Sequence, residues 1–433
     1  MSDDRGGAEM VQAELRPAGS LVQLYRQVRA LTEALADPLS PEDQTAQSMP
    51  DVSPTKWHRA HTSWFFETFV LPGRLPGYRQ YHDQYGFLFN SYYETVGPFF
   101  PRDRRGTITR PGAADISRYR GHVDAAMEEV VAGDGDPASY GVIELGCHHE
   151  QQHQELILMD IKHVLSTNPL RPAYLPRRRT AGPDAAGAQP APGPAPAERW
   201  SEHPGGQVEV GHDGQGFGFD NEFPRHTVHL QPFALAAHPV TNGDWSAFIA
   251  DGGYHRPDLW LSEGWSTVRS EGWEAPLYWE PDGKGWARFT LSGLQPVAAA
   301  DPVSHVSYFE ADAYARWAGA RLPTEQEWEA VASRHPVDGA FLDLGVLDAT
   351  AARTESPFGN VWQWTSSAYC PYPGYRPGPG ALGEYNGKFM VNQYVLRGGS
   401  AATPAGHCRA TYRNFFPARS RWAFSGLRLA RDL

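Results

Sequence analysis

The chain of 433 residues has few cysteines, no long apolar run and no basic cluster. Its three cysteines, Cys147, Cys370 and Cys408, are far apart, which argues against a disulfide framework and favours a reducing compartment. No apolar run reaches the roughly 18 residues of a membrane span, and the first residues lack the pattern of a secretory leader. We therefore expect a soluble, cytoplasmic protein that does not enter a membrane.

The net charge of the chain limits the kinds of molecule that it is expected to bind. Lysines and arginines number 38 and acidic residues 50, which gives a net charge of −12. No basic cluster alternates with aromatic residues, as a nucleic-acid-binding surface requires. The sequence therefore argues against a nucleic acid or another polyanion as partner.

The length predicts two domains. Helical spacing of apolar residues over 21–35, 57–70, 116–131 and 140–165 predicts a four-helix bundle within residues 15–170. Residues 171–199 become rich in Ala, Gly and Pro and are predicted to be a linker. Residues 200–433 are loop-rich with short alternating apolar runs, typical of an irregular α+β domain; the pattern predicts helices over 302–318 and from a capping box at Thr324.

One predicted helix carries a metal-binding pattern. His149 and His153 are four residues apart, so their imidazoles project side by side from one face. A third ligand is available from an upstream helix, where His58 and His61 are both candidates and geometry favours His61. Ser53 followed by Pro54 predicts the N-cap and first turn of that helix.

The chemistry of such a site depends on the metal and on its surroundings. Three imidazoles with open coordination positions suit zinc acting on water, or iron binding oxygen and a sulfur substrate, and spacing does not choose between them. Glu150 or Asp160 could fix an imidazole tautomer. Gln152 flanks the metal face, whereas Glu155 points away and is predicted to contact a neighbouring helix.

A long aromatic connection, 78–111, follows the second helix, and long ordered loops usually carry function. Tyr92 and Tyr93 in this connection are candidate proton donors. Its arginines are candidates for holding a substrate carboxylate: Arg102, Arg104 and Arg105.

Five motifs in the second half resemble the formylglycine-generating-enzyme family, a variant of the C-type lectin fold. They are Val-Thr-Asn-Gly-Asp-Trp at 240–245, Trp-Ala-Gly-Ala-Arg-Leu-Pro-Thr-Glu-Gln-Glu-Trp-Glu at 317–329, Gly-Asn-Val-Trp-Gln-Trp at 359–364, Val-Leu-Arg-Gly-Gly-Ser at 395–400 and Gly-Leu-Arg-Leu-Ala at 426–430. The first half, with Trp57-x-x-Ala60-His61 and the histidine pair, resembles the all-α DinB-like four-helix bundle. Together the two domains resemble the sulfoxide synthases of ergothioneine biosynthesis over nearly the whole chain.

This resemblance implies a non-haem Fe(II) held by three histidines, which match His61, His149 and His153. It implies an enzyme that uses O2 to join a thiol to the imidazole C2 of hercynine, Nα-trimethylhistidine. The substrates would be hercynine, O2 and either cysteine or γ-glutamylcysteine. The resemblance further implies that the hercynine contacts are Gln152, Asn414, Phe415 and Phe416.

The chain departs from the mycobacterial branch of this family. That branch has Asn-Trp-Asp where this chain has Asn414-Phe415-Phe416, so the acid facing a γ-glutamyl amine is missing. The paired-tyrosine loop instead resembles a second branch that can take free cysteine, and it makes Tyr92 or Tyr93 the predicted catalytic acid, with Tyr385 in reserve. The predicted contacts of the thiol substrate's carboxylate are Arg102 and Arg419.

Other activities remain open at the sequence level. A formylglycine-generating oxidase needs two active-site cysteines, but Thr403 stands at the first position and Cys408 alone at the second. A zinc-dependent thiol transferase, or a related selenium-inserting or ovothiol-type synthase, would use the same helical domain. A non-catalytic lectin-like module would need calcium, and Gln363 replaces a glutamate ligand of relatives.

Overall fold

The computed structural model describes residues 18–133, 137–176, 200–378 and 380–433. The helices of the first half are α1 (Ala18–Ala36), α2 (Thr55–Phe69), the short α3 (Leu71–Arg74) and α4 (Tyr85–Phe89), α5 (Ala113–Ala132) and α6 (Pro137–Thr167). The four long helices are those that the apolar spacing predicts, and α1 packs along α6 while α2 packs against α5 and α6. No helix within the described ranges is long and apolar enough to cross a membrane.

The second helix is the centre of the bundle. Every residue of α2 from Thr55 to Glu67 is buried, so this helix has no solvent-facing side. Its polar side chains find partners inside the protein, as buried polar groups must; Lys56, for example, donates to the carbonyl of Ile108 at 2.6 Å. A histidine on α2 is therefore shielded from water wherever it points.

The predicted N-cap of α2 is wrong. The helix begins at Thr55, and its preceding residues make no side-chain cap. The Ser53 hydroxyl accepts a 2.9 Å hydrogen bond from Arg105, and the Ser53 backbone N–H donates to Asp160 at 2.7 Å. The polar groups of Ser53 are thus bonded to residues that are distant in the sequence, and its hydroxyl does not cap α2.

The second half contains short strands in small sheets. The strand bounds are β1 (Trp200–His203), β2 (Gly206–Val210), β3 (His226–Leu230), β4 (Phe233–Ala236), β5 (Trp279–Asp282), β6 (Gly285–Thr290), β7 (Gly293–Pro296), β8 (Trp362–Ala368), β9 (Gln393–Arg397), β10 (Asn414–Pro417), β11 (Ser425–Gly426) and β12 (Ala430–Asp432). Within the described residues, the sheets have the strand orders β1-β4-β12, β10-β9-β8-β11, β2-β3 and β5-β6-β7.

Four helices accompany these strands: α7 (Asn242–Ala250), α8 (Ser262–Glu271), α9 (Tyr308–Trp317) and α10 (Glu325–Ala332). The capping box at Thr324 is confirmed, since its hydroxyl accepts from the Glu327 N–H at 3.1 Å and its own N–H donates to the Glu327 carboxylate at 2.8 Å. The helix predicted from 302 begins only at Tyr308, where Ser307 provides the cap. The helices α7 and α8 were not predicted.

The two halves share an apolar core. One buried cluster joins Leu158 and Ile161 of α6 to Phe289, Trp422 and Phe424 of the second half. Residues 171–176 of the predicted linker pack against the bundle through the buried Tyr174, which donates to the Leu35 carbonyl at 2.6 Å, whereas 177–199 lie outside the described residues. The helix α6 therefore lies where the two halves meet.

Glu155 of α6 is part of this junction. It accepts hydrogen bonds from Trp362 at 2.7 Å, Ser400 at 2.6 Å and Thr403 at 2.9 Å. The prediction that it contacts a neighbouring helix is wrong, because all three donors belong to the second half. Helical geometry gives the direction of a side chain but not which element lies there.

Candidate metal centre

Three imidazoles meet between α2 and α6. His61 comes from α2, and His149 and His153 come from successive turns of α6. One ring nitrogen from each lies within 4.8 Å of the others, and Nε2 of His61 is 3.2 Å from Nε2 of His149. None of the three residues is more than 8 % exposed. The structure thus brings together the three histidines that the sequence singles out.

The hydrogen bonds of each ring indicate which nitrogen is free to bind a metal. Nδ1 of His61 donates to the carbonyl of Phe89 at 2.6 Å, which leaves Nε2 with its lone pair. Nδ1 of His153 lies 2.8 Å from Nδ1 of His58, so His58 stands behind the three-imidazole group. Nδ1 of His149 is buried and has no hydrogen-bond partner among the described residues.

The three rings are held in their neutral form. Burial lowers the pKa of His61 and His153 well below the ordinary value, and the neighbouring His149 lowers both further. Burial also lowers the pKa of His149 to about 3. Neutral imidazole is the form that binds a transition metal, so the donor set fits such an ion without losing protons first.

Glu150, the residue after His149, binds arginines and not an imidazole. Glu150 receives hydrogen bonds from Arg29 at 2.7 Å and Arg120 at 2.9 Å. Burial alone would raise the pKa of Glu150, but the two guanidinium groups outweigh it and hold that pKa at about 2. Of the two carboxylates considered for a supporting role, Glu150 is therefore bound to arginines, whereas Asp160 is bound to His58 at 2.9 Å.

Aromatic rings enclose the group. The ring of His61 is stacked between Trp57 and Trp64, with centroids 4.7 and 5.4 Å away. The guanidinium of Arg105 lies 3.4 Å from the centroid of the same Trp57 ring. Burial lowers the Arg105 pKa, and its Nε has no partner among the described residues. A buried guanidinium with a free donor therefore stacks on the same tryptophan ring that stacks on His61.

The two arginines predicted to bind the thiol carboxylate both lie at the surface. Arg102 is exposed and donates to the carbonyl of Asp51, and Arg419 is exposed after β10. The sequence drew attention to the Arg102–Thr107 turn but could not tell its buried arginine from its exposed ones.

The predicted tyrosines form a group with Tyr385. The Tyr385 ring contacts His149 with centroids 5.4 Å apart, and the Tyr92 ring lies 6.1 Å from Tyr385. Tyr93 contacts Tyr92 at 4.7 Å but otherwise packs on Trp64 at 5.6 Å. Burial raises the pKa of all three tyrosines, so each carries its phenolic proton at neutral pH. The tyrosine that contacts a histidine of the group is Tyr385.

A hydrogen-bonded chain leads from Gln152 into the second half. The Gln152 amide donates to the Tyr412 hydroxyl at 2.5 Å, and that hydroxyl lies 3.3 Å from Nε2 of His407. Burial lowers the His407 pKa well below its ordinary value, so neutral Nε2 can accept the Tyr412 proton. Tyr412 thus orients Gln152, a role that no sequence pattern indicated.

The three neighbouring residues of β10 do not share one face. Side chains alternate along a strand, and Phe415 stacks on Tyr369 with centroids 4.1 Å apart. Phe416 points the other way, against Trp422 at 5.6 Å. Asn414 shares the face of Phe416, and its Oδ1 accepts from the Phe415 N–H at 2.9 Å. Phe415 and Phe416 therefore cannot both line the same side of a substrate pocket.

Comparison with known proteins identifies the family. The model of the sulfatase-modifying factor enzyme 1-like domain matches residues 188–350 and 355–433. The hercynine oxygenase of Mycolicibacterium smegmatis is 35% identical over 89% of this chain and 93% of its own length. The chain belongs to the hercynine oxygenase family. The hercynine oxygenase of Mycobacterium tuberculosis is 32% identical over 94% of the chain and 97% of its own length.

Membership in this family makes the chain an oxygen-dependent oxidoreductase. It confirms the predicted combination of a helical bundle with a domain of the formylglycine-generating-enzyme type. The formylglycine-generating enzyme of Streptomyces coelicolor is 30% identical over 52% of this chain and 86% of its own length.

The two-cysteine oxidase alternative finds no support in the residues present. Thr403 donates to Glu155 and so helps to join the two halves. Cys408 is a free, buried thiol, and burial raises its pKa to about 12. A thiol that keeps its proton is a poor metal ligand or nucleophile.

Proposed function

We propose that this family member is a non-haem Fe(II) sulfoxide synthase of ergothioneine biosynthesis. It joins the sulfur of cysteine or γ-glutamylcysteine to C2 of the hercynine imidazole. The C–H and S–H bonds are broken, a C–S bond forms, one oxygen atom of O2 is placed on sulfur and the other leaves as water. The observation that carries this proposal is the group of three neutral imidazoles in a chain that belongs to the hercynine oxygenase family.

His61, His149 and His153 would hold the metal through one nitrogen each. Iron bound there supplies open coordination positions and redox chemistry for O2 and a soft sulfur ligand. The neutral ligands add no negative charge, and the surrounding Trp57 and Trp64 exclude water from His61. Reactants held side by side in this way gain the advantage of proximity.

Gln152 and Asn414 are proposed to bind the polar groups of hercynine. Tyr412 fixes the Gln152 amide so that its carbonyl oxygen is available as an acceptor. The cationic trimethylammonium group favours an aromatic face, worth about 0.5–2 kcal/mol. Because Phe415 and Phe416 point in opposite directions, only one of them can supply that face, and Phe416 shares its side of the strand with Asn414.

Arg105 is the better candidate for the carboxylate of the thiol substrate. It is buried beside the Trp57 ring, and its Nε has no hydrogen-bond partner in the part of the chain that the structure describes, so a carboxylate would gain a strong charge-assisted hydrogen bond. Arg102 lies on the same turn but is exposed, and it and Arg419 remain candidates for a contact nearer the solvent.

The phenol group of Tyr92, Tyr93 and Tyr385 is proposed to supply the proton. A protonated tyrosine within reach of the reacting oxygen acts as a general acid. Contact with His149 favours Tyr385, and Tyr92 lies directly behind it. Tyr93 is proposed to support the Tyr92 ring.

The test is to incubate the iron-loaded protein with hercynine, O2 and either cysteine or γ-glutamylcysteine, following oxygen uptake and product mass. We expect a thioether sulfoxide with at least one thiol and one O2 consumed for each product. Absence of that product with both thiols would refute the proposal. A strong preference between the thiols identifies the donor.

A further inference from the structure

His153 is connected to a buried carboxylate through a second histidine. Nδ1 of His153 lies 2.8 Å from Nδ1 of His58, and Nε2 of His58 lies 2.9 Å from Oδ2 of Asp160. His58 and Asp160 are each 2 % exposed, so water does not compete for these hydrogen bonds. The link joins α2 to two successive parts of α6.

The protons in this link have one consistent arrangement. Oδ2 of Asp160 also accepts the Ser53 N–H at 2.7 Å, as expected of a carboxylate. Nε2 of His58 must therefore carry the proton that it donates to Asp160. A neutral imidazole that carries its proton on Nε2 has a lone pair on Nδ1, so Nδ1 of His58 is an acceptor. Nδ1 of His153 then donates, which leaves Nε2 of His153 with the lone pair.

The three imidazoles are consequently not equivalent. His61 donates to a neutral backbone carbonyl, and Nδ1 of His149 has no partner among the described residues. Only His153 of the three is hydrogen-bonded to a chain that ends in an anion. Asp160 accepts from His58 through Oδ2, and its Oδ1 has no partner in the described part of the chain. The negative charge of Asp160 thus acts on His153 through the hydrogen bonds of His58.

We propose that His58 and Asp160 are positioning residues that fix His153 as the Nδ1–H tautomer and make it the strongest electron donor of the three ligands. Hydrogen bonds behind a ligand imidazole fix its tautomer and raise its basicity. A stronger donor stabilises the oxidised over the reduced metal, so the link also lowers the Fe(III)/Fe(II) potential. This inference rests on the metal site of the proposed function.

Three substitutions separate the geometry of the link from its charge. Asp160→Asn keeps an acceptor oxygen for His58 and Ser53 but removes the negative charge. His58→Leu breaks the link, and His58→Gln restores an acceptor for His153 and a donor for Asp160. His163→Gln is the matched control, because His163 is another largely buried histidine of α6 that bonds to Ser48 at 2.6 Å instead.

The first measurement is made on the full-length metal-free protein. Nitrogen-15 NMR of the imidazoles reports which ring nitrogen carries the proton. We expect His153 to be protonated at Nδ1 alone in the wild type, Asp160→Asn and His58→Gln, and to populate both tautomers in His58→Leu. Protonation of His153 at Nε2 in the wild type would overturn the proposal, and so would an unchanged His153 tautomer in His58→Leu.

The second measurement is made on the iron-loaded protein. We expect Fe(II) to bind about 10- to 100-fold more weakly in His58→Leu, with a smaller loss in His58→Gln and none in His163→Gln. The Fe(III)/Fe(II) potential should rise in Asp160→Asn although its tautomer is unchanged, an effect that loss of structure alone would not produce. Wild-type affinity in His58→Leu together with a wild-type potential in Asp160→Asn would overturn the proposal.

The results also distinguish this inference from the proposed function. If the tautomer, affinity and potential change as expected but no sulfoxide forms, the link stands and the proposed reaction is wrong. If the sulfoxide forms while all three properties are independent of His58 and Asp160, the reaction stands and the link is wrong.

Discussion

Glu155 and Trp362, which are separated by 207 positions, are joined by a 2.7 Å hydrogen bond from the indole N–H to the carboxylate. Both groups are buried. Glu155 lies two residues beyond His153 on α6, so the bond ties the helix that carries two of the three imidazoles to β8. The position of the helix, and with it the histidines, thus depends on the second half of the chain.

Replacing Glu155 by Gln is expected to lower the free energy of unfolding by about 1–3 kcal/mol, because an amide cannot accept from three donors at once. Urea denaturation measures this loss. Glu128→Gln is the control, since its ion pair with Arg26 is exposed and screened by solvent and should contribute much less. Equal effects of the two substitutions would show that Glu155 does not hold the halves together.

Replacing Arg105 by Gln is expected to raise the KM for the thiol about 10-fold or more, because its charge is buried and a charge-assisted hydrogen bond would be lost. Arg102→Gln, in the exposed position of the same turn, should change that KM far less. Steady-state oxygen uptake at saturating hercynine measures both, and the iron content verifies that the site is intact. A larger effect at Arg102 would return the carboxylate contact to the position that the sequence predicts.

Among the tyrosines, Tyr385→Phe and Tyr92→Phe are expected to lower sulfoxide formation by a factor on the order of 10² to 10⁴, the usual contribution of a general acid. Tyr93→Phe should have a small effect, because Tyr93 packs mainly on Trp64 and Phe69. Product mass and iron content are measured together, since loss of the acid should divert the thiol to other oxidation products while iron stays bound. Near-native sulfoxide formation in both Tyr385→Phe and Tyr92→Phe would exclude these phenols as the acid.

Lys162 is expected to make stability depend on pH. It is buried, 2.8 Å from Nε2 of His305 and 3.9 Å from Asp348, and burial lowers its pKa from 10.5 to about 8. Between these pH values the unfolded chain binds more protons than the folded chain, so this group makes stability rise with pH.

Lys162→Met removes that dependence. Relative to this variant, the wild type should gain up to about 3 kcal/mol in free energy of unfolding between pH 7 and pH 10, at about 1.4 kcal/mol per pKa unit. Urea denaturation at both pH values measures it, with Lys284→Met as an exposed control. A constant difference between wild type and Lys162→Met would contradict the prediction.

The elements that were predicted correctly from the sequence are those that depend on local periodicity. The four long helices and the capping box at Thr324 follow from spacing and short-range hydrogen bonds. The helices α7 and α8 were missed although α9 and α10 are of similar length. The capping box of Thr241 and Asp244 at the start of α7 was a signal that could have found that helix, whereas α8 has no side-chain cap. The Ser53 cap failed because two distant residues bind that serine instead.

Within the site, spacing predicted that His149 and His153 lie side by side, and geometry and the family resemblance both favoured His61. The roles of residues that reach the site from distant parts of the sequence could not be predicted. Arg105 and Arg102 are three positions apart in one turn, and only tertiary packing buries the first. Likewise, the contacts of Tyr412 with Gln152 and of Asp160 with His58 join residues about 100 or more positions apart.

His61, His149 and His153 are proposed to hold iron together, and the iron content of His61→Ala is the decisive measurement. After anaerobic loading with Fe(II) in excess and desalting, the wild type is expected to keep about one iron per chain and His61→Ala to keep none. His58→Ala, measured alongside, should still take up one iron when Fe(II) is in excess, because His58 lies behind the ligand group. Stoichiometric iron in His61→Ala, with loss of iron in His58→Ala, would show that His58 and not His61 is the third ligand.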